Sequence, residues 1–195
     1  MIAIIDSGGA NIASVQFALE RLGAESILTK DVKIIQSADK VLLPGVGAAP
    51  IAMQNLAEYG LIDCIRGLTQ QVMGICLGMQ LLFGSSEEGN TPCLGIIDAA
   101  VKKISPQPGL TIPHMGWNQV AFEQNCPLFK DIPANSWFYF VHSFAGTMGP
   151  WVMGSVSYGS KLPAVVKWKN FFGTQFHPER SAEAGSQLIR NFLDL

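Results

Sequence analysis

Cys76 stands between two glycines in Val72-Met73-Gly74-Ile75-Cys76-Leu77-Gly78-Met79-Gln80, where a short apolar run of strand length gives way to a helical pattern. A Gly-x-Cys-x-Gly arrangement at such a junction is the thiol counterpart of the nucleophile elbow, in which glycines let a sharp strand-to-helix turn form without side-chain clashes. A thiol there would sit at a helix N-terminus, where the positive end of the dipole favours thiolate. The Leu77 N–H would offer one donor to an oxyanion. A buried structural cysteine on an ordinary glycine-rich turn is the competing reading, and a base and an orienting group elsewhere must decide between the two.

His177 supplies the base. It lies in Phe176-His177-Pro178-Glu179, directly after a strongly apolar run. Pro178 biases His177 toward extended backbone, and residues two apart in extended chain face the same way, so His177 and Glu179 can reach one site. A carboxylate beside an imidazole fixes its tautomer and stabilises the imidazolium that forms when it takes a proton. Cys76, His177 and Glu179 therefore provide nucleophile, base and orienter for acyl transfer at a thiol. The other histidines, His114 and His142, show no metal-ligand spacing and no Cys-x-x-Cys occurs, so neither a metal nor any other cofactor is expected.

The elements that must position these groups alternate in the first half. Apolar strand-like runs at 2–5, 26–28 and 40–43, the last halted by Pro44-Gly45, are separated by a helical pattern from Ile12 to Leu22 that stops at Gly23. Helical segments at 51–59 and 61–68 then lead into the strand that feeds Cys76. This rhythm with fully apolar strands predicts an α/β fold whose parallel, doubly wound sheet is covered on both faces. Active sites of such sheets lie at the carboxyl ends of the strands, where Gly8-Gly9, Pro44-Gly45-Val46-Gly47 and Gly74–Gly78 would converge. In the second half, runs at 99–104, 118–122, 137–141, 152–158, 164–168 and 171–176 come at hairpin spacing and predict mixed or antiparallel strands extending that core. An amphipathic helix at 182–193 closes the chain.

A length of 195 residues fits a single domain. An apolar fraction of 48% against 14% charged residues argues for a compact core and an apolar surface that suits a permanent partner, and a net charge of −2 offers no basic stripe for nucleic acid. No run approaches the length of a membrane span. Asp6 breaks the N-terminal apolar run, so no signal peptide is expected, and the four cysteines are expected reduced in the cytoplasm.

The elbow and the Gln175-Phe176-His177-Pro178-Glu179-Arg180-Ser181 stretch together resemble the class I, triad-type glutamine amidotransferases. Pro44-Gly45-Val46-Gly47, Pro113-His114-Met115-Gly116-Trp117-Asn118 and Phe138-Tyr139-Phe140-Val141-His142-Ser143 are similar to the branch of that family serving imidazole glycerol phosphate synthases. The resemblance implies that Cys76 attacks the side-chain amide of L-glutamine and that His177 acts as base. It implies an oxyanion hole of Gly45, Val46 and Gly47 beside Leu77, and a substrate pocket involving Gln80, Glu88, Ser143 and Phe144. It further implies a heterodimer with a (β/α)8-barrel cyclase subunit that receives the ammonia, with Asn11, Tyr139 and Arg180 at the interface. Ser7, Ala10, Ala49-Pro50 and Phe144 depart from residues common in the family, and none touches the triad. Trp117 is expected to pack in the core. A glutaminase serving another synthase, such as pyridoxal phosphate synthase, or a non-catalytic module on the same fold, remains open on sequence alone.

Overall fold

The strands at 2–5, 40–45 and 71–76 bury both of their faces, as continuous apolar runs in a parallel sheet require, while the strand at 26–29 lies at the edge and is only partly buried. The computed structural model describes residues 1–8, 12–45 and 47–195. Its first half runs β1 (Ile2–Ile5), α1 (Ile12–Arg21), β2 (Ser26–Thr29), α2 (Val32–Ser37), β3 (Lys40–Gly45), α3 (Ala49–Glu58), α4 (Leu61–Arg66), β4 (Gln71–Cys76) and α5 (Leu77–Leu81). Then come β5 (Phe83–Ser86), β6 (Thr91–Pro92), β7 (Ile97–Lys103), β8 (His114–Phe122), β9 (Trp137–His142), β10 (Phe144–Gly146), β11 (Val152–Tyr158), β12 (Ser160–Trp168), β13 (Phe171–Thr174) and α6 (Ala182–Leu193).

A nine-stranded sheet has the order β2-β1-β3-β4-β13-β12-β11-β8-β9. Its strands from β2 to β13 are parallel, and from β12 to β9 each pairs antiparallel with its neighbours. A smaller sheet, β10-β7-β5-β6, packs alongside. Alternate residues divide between two cores: Ala3, Ile5, Val41, Leu43 and Val72 enter one, and Ile2, Ile4, Leu42, Met73 and Ile75 the other. The α6 helix adds Leu188, Ile189 and Phe192 to the second core from a single face.

Several elements differ from the sequence-based expectation, each for a local reason. The short α2 forms because the Asp31 carboxylate caps it, accepting from the N–H groups of Lys33 and Ile34 at 2.8 and 3.2 Å. Strand β3 continues through Pro44 to Gly45, because β1 pairs with β3 only as far as Leu42, so the N–H that proline lacks has no ladder partner to lose. The helix after Cys76 stops at Leu81, and Phe83 begins β5 instead. Strands β8 and β12 start earlier than expected, β13 ends two residues sooner, and β10 and β6 were not anticipated.

Glycine permits the close approach of α5 to the sheet. A Cβ on Gly78 would overlap the Leu43 carbonyl oxygen, and one on Gly74 would lie 2.6 Å from the Gly78 carbonyl carbon. Both obstacles are backbone and cannot rotate away. Gly78→Ala is therefore expected to destabilise the fold by about 2–4 kcal/mol, read as a lowered denaturant midpoint or loss of soluble protein. A wild-type midpoint would contradict the packing described.

Candidate active site

Cys76 is the last residue of β4 and the first flanking residue of α5, with φ +55° and ψ −111°. That region is costly for any side-chain-bearing residue, on the order of 1–3 kcal/mol, and persists only where its surroundings over-determine it. Here the surroundings are Gly45 opposite Cys76 in the β3 register and the α5 backbone pressed against both strands. The turn leaves the side chain nearly buried, with Sγ 3.7 Å from the Val141 carbonyl oxygen and 3.9 Å from Gln175 Nε2. Because α5 has only five residues, its dipole contributes less at the sulfur than the longer helical pattern implied.

Beside it, His177 and Glu179 meet by a route other than extended alternation. His177 is extended (φ −96°, ψ 96°), but Pro178–Arg180 wind into a 3-10 turn with proline at its start. The turn closes through Arg180 N–H to the His177 carbonyl at 3.1 Å, and the Ser181 hydroxyl donates to the same oxygen at 2.7 Å. It brings His177 Nδ1 to 2.8 Å from Glu179 Oε1, both side chains almost wholly buried. The carboxylate thus fixes the tautomer with hydrogen on Nδ1 and leaves Nε2, which finds no hydrogen-bond partner within normal distance among the described residues, as the basic nitrogen. Burial opposes charge on this ring, but the Cys76 sulfur and the Glu179 carboxylate outweigh it and push His177 up to about 10. The other three cysteines lack such company: burial raises the Cys64 and Cys126 thiols, and burial with the nearby Glu88 charge raises Cys93 to about 11.

A cavity of about 370 Å³ opens over the thiol, lined among others by Gly47, Cys76, Leu77, Gln80, Glu88 and His177. Of the expected oxyanion residues, Leu77 and Gly47 border the cavity, Gly45 does not line it but packs against Leu77 and Gly78, and Val46 lies outside the described residues. Gln80, Glu88, Ser143 and Phe144 all reach the cavity wall. Gln80 is buried, donating from Nε2 to the Phe144 carbonyl at 2.8 Å and to Gln175 Oε1 at 3.0 Å. Glu88 accepts from the Ala49 N–H at 2.8 Å and so ties the start of α3 to the pocket. Tyr139 is on β9 and Arg180 is exposed on the Pro178–Arg180 turn, whereas Asn11 lies outside the described residues. Trp117 is not in the core: it is half exposed on β8, edge-on to Tyr139 at 6.1 Å, because odd-numbered residues of β8 point away from the sheet interior.

Sequence reasoning did not single out Gln175, although it lies within the same motif as His177. Nor did it assign roles to His114, His142 and Ser181. The Tyr139 N–H donates to the Ser181 hydroxyl at 3.0 Å, and the His177 N–H donates to the Tyr139 carbonyl at 2.9 Å, so β9 pairs with the 177–181 segment. His114 Nδ1 lies 3.0 Å from His142 Nε2, an interaction between adjacent strands that only the β8–β9 register reveals.

The chain matches the Glutamine amidotransferase class-I family over residues 3–195. It is 51% identical over 193 residues to the imidazole glycerol phosphate synthase subunit HisH of Haemophilus influenzae, covering 99% of this chain and 96% of that protein. It is 48% identical to the same-named subunit of Yersinia pseudotuberculosis, covering 100% and 99%. Among solved structures, a glutamine amidotransferase superposes with a TM-score of 0.76 at 20% identity over 99% of this chain and 97% of that one. A glutamine amidotransferase from Thermotoga maritima superposes with 0.63 at 16% identity over 99% and 82%.

The buried rings of His114 and His142 make an acid-side prediction. Burial lowers both to about 4, from an ordinary 6.5. The unfolded chain would take protons below pH 6.5 that the folded one refuses until about pH 4, so their contribution is complete above pH 6.5 and is lost as pH falls through that window. Relative to wild type, His114→Asn is expected to flatten the loss of Tm between pH 7 and pH 5 by about 2–6 °C, the equivalent of about 1–2 kcal/mol. Parallel acid limbs in thermal melts would refute it.

Proposed function

Because the chain belongs to the class-I glutamine amidotransferase family, we propose that it hydrolyses L-glutamine to glutamate and ammonia as the glutaminase subunit of an imidazole glycerol phosphate synthase in histidine biosynthesis. The observation that carries this reading is the strained, buried Cys76 set beside the His177–Glu179 pair at one cavity wall. The relatives named as subunits of that synthase, matched along nearly their full length, specify the pathway.

In this mechanism the Cys76 sulfur attacks the side-chain carbonyl carbon of glutamine. His177 Nε2 holds the thiol proton and delivers it to the departing nitrogen, so ammonia leaves and a glutamyl thioester remains. Water then attacks the thioester with Nε2 as base, and the proton returns to sulfur as glutamate departs. The Leu77 and Gly47 N–H groups at the cavity border are suited to the negative oxygen of each tetrahedral intermediate, and removing one such donor typically costs about a hundredfold to a thousandfold. Glu88 suits the substrate ammonium. We assign Gln80, Ser143 and Phe144 to the walls that hold the amino-acid end.

The partner is a (β/α)8-barrel cyclase subunit that takes the ammonia before it reaches water. Its docking face is the outer side of the β8–β9 hairpin. There Trp117 stands opposite Tyr139, and Gln119 opposite Trp137, and Met115, Trp117 and Trp137 are each at least half exposed. Such a cluster of large apolar side chains is the composition of an interface centre. Arg180 borders it from the catalytic turn.

Glutamate release is expected to be slow for the isolated chain and strongly stimulated by the cyclase subunit with its nucleotide. Cys76→Ala should lower it at least about a thousandfold. Full activity in Cys76→Ala would end the proposal. Trp117→Ala should weaken the complex about tenfold or more, measured by titration calorimetry, and an unchanged Kd would remove this face from the interface.

A further inference from the structure

A continuous series of hydrogen bonds joins the outer hairpin to the thiol. Asn118 Nδ2 lies 3.2 Å from His114 Nε2, His114 Nδ1 3.0 Å from His142 Nε2, and His142 Nδ1 2.8 Å from the Phe144 carbonyl oxygen. That oxygen also accepts from Gln80 Nε2 at 2.8 Å; Gln80 Nε2 lies 3.0 Å from Gln175 Oε1, and Gln175 Nε2 lies 3.9 Å from Cys76 Sγ.

The protons in this series have one self-consistent arrangement. A carbonyl only accepts, so His142 carries its hydrogen on Nδ1, which makes its Nε2 an acceptor and His114 Nδ1 the donor. His114 Nε2 then accepts from Asn118. At the far end, Gln80 gives one hydrogen to the Phe144 carbonyl and the other to Gln175 Oε1. That bond orients the Gln175 amide, and its NH2 group is left facing sulfur. The side chains of His114, His142, Gln80 and Gln175 are all buried, and of them only Gln80 and His142 border the cavity, so an orphaned His114 or Gln175 is poorly compensated by water.

We propose that this relay positions the reacting thiol: His114 and His142 hold the Phe144 carbonyl and Gln80 in the register that aims Gln175 Nε2 at Cys76 Sγ. His114 and His142 are positioning residues: His142 borders the cavity beside Ser143, and His114 reaches it only through His142. Their effect on turnover rests on the glutaminase reading, but their effect on the thiol does not.

Ring and donor can be separated at His114. Its ring stacks between Phe140, with centroids 4.7 Å apart, and Tyr158, at 3.9 Å. His114→Phe keeps the stacked ring and loses the donor, whereas His114→Asn loses the ring and places an N–H near the Nδ1 position. Both are compared with wild type in the complex with the cyclase subunit, by glutamate release and by iodoacetamide alkylation of Cys76 followed by peptide mass mapping. His114→Phe should lower kcat about tenfold with KM within about twofold, and slow alkylation similarly, as expected for a buried acceptor left unpaired. His114→Asn should rescue most of both losses. Wild-type behaviour of His114→Phe, or an equal loss in His114→Asn, overturns the relay in favour of packing. The same pair of substitutions at His142 repeats the test, and failure of both phenylalanine variants to fold also overturns it. If the wild-type complex releases no glutamate, the glutaminase reading fails, and the alkylation rates still decide the relay.

Discussion

The arrangement depends on how closely the α5 backbone is pressed against β3 and β4. A non-glycine residue held at φ +55° and ψ −111° relaxes unless the chain on both sides is fixed, and here both sides are fixed by contacts that only glycine allows at 45, 74 and 78. Leu77, Met79, Leu81 and Leu82, all buried, anchor the far side of the turn in the core. Core burial thus supports the strain at Cys76. The sheet order extends the consequence: β4 lies between β3 and β13, all three parallel, so their carboxyl ends meet at one edge. Gly45, the elbow cysteine and the 175–179 segment are distant in sequence and adjacent here for that reason.

Environment, more than residue type, divides the titratable side chains. His177 is buried beside a carboxylate and a sulfur, and it is held in the charged form to high pH. His114 and His142 are buried without an anion and stay neutral. A neutral imidazole has one donor and one acceptor, which suits a directional series of hydrogen bonds, while a protonated one has two donors and would break it. Burial likewise raises the thiols of Cys64, Cys93 and Cys126, while Cys76 is the cysteine set beside His177.

Much of this was legible in the sequence because it was local or strictly periodic. The parallel half, the closing helix at 182–193, the elbow and the His177–Glu179 pair all follow from short-range spacing. The contact between His177 and Glu179 was anticipated, but its geometry was not, because a proline that disfavours helix at the preceding residue also starts a 3-10 turn well. The continuation of β3 through Pro44 was hidden because it depends on where β1 stops pairing. The exposure of Trp117 was hidden for a related reason: an aromatic strand residue reads as core until the register with β9 shows which face it occupies. His114, His142 and Gln175 act through partners dozens of residues away, and no window of sequence contains such a pair.

The edge strand β9 connects these observations. An unpaired strand edge with large apolar side chains invites association, and proteins cover or interrupt such edges. Here the β9 backbone is occupied partly by the 178–180 turn, through Tyr139 to His177 and Ser181, and the Val141 carbonyl reaches the Cys76 sulfur. Its alternate side chains divide the remaining tasks: Phe138 and Phe140 pack in the core with Phe176, while Trp137 and Tyr139 share the outward face with Trp117. Period-two alternation therefore puts exposed aromatic side chains on the same six residues that brace His177. The exposed aromatic face and the cavity over Cys76 are adjacent because one strand contributes to both.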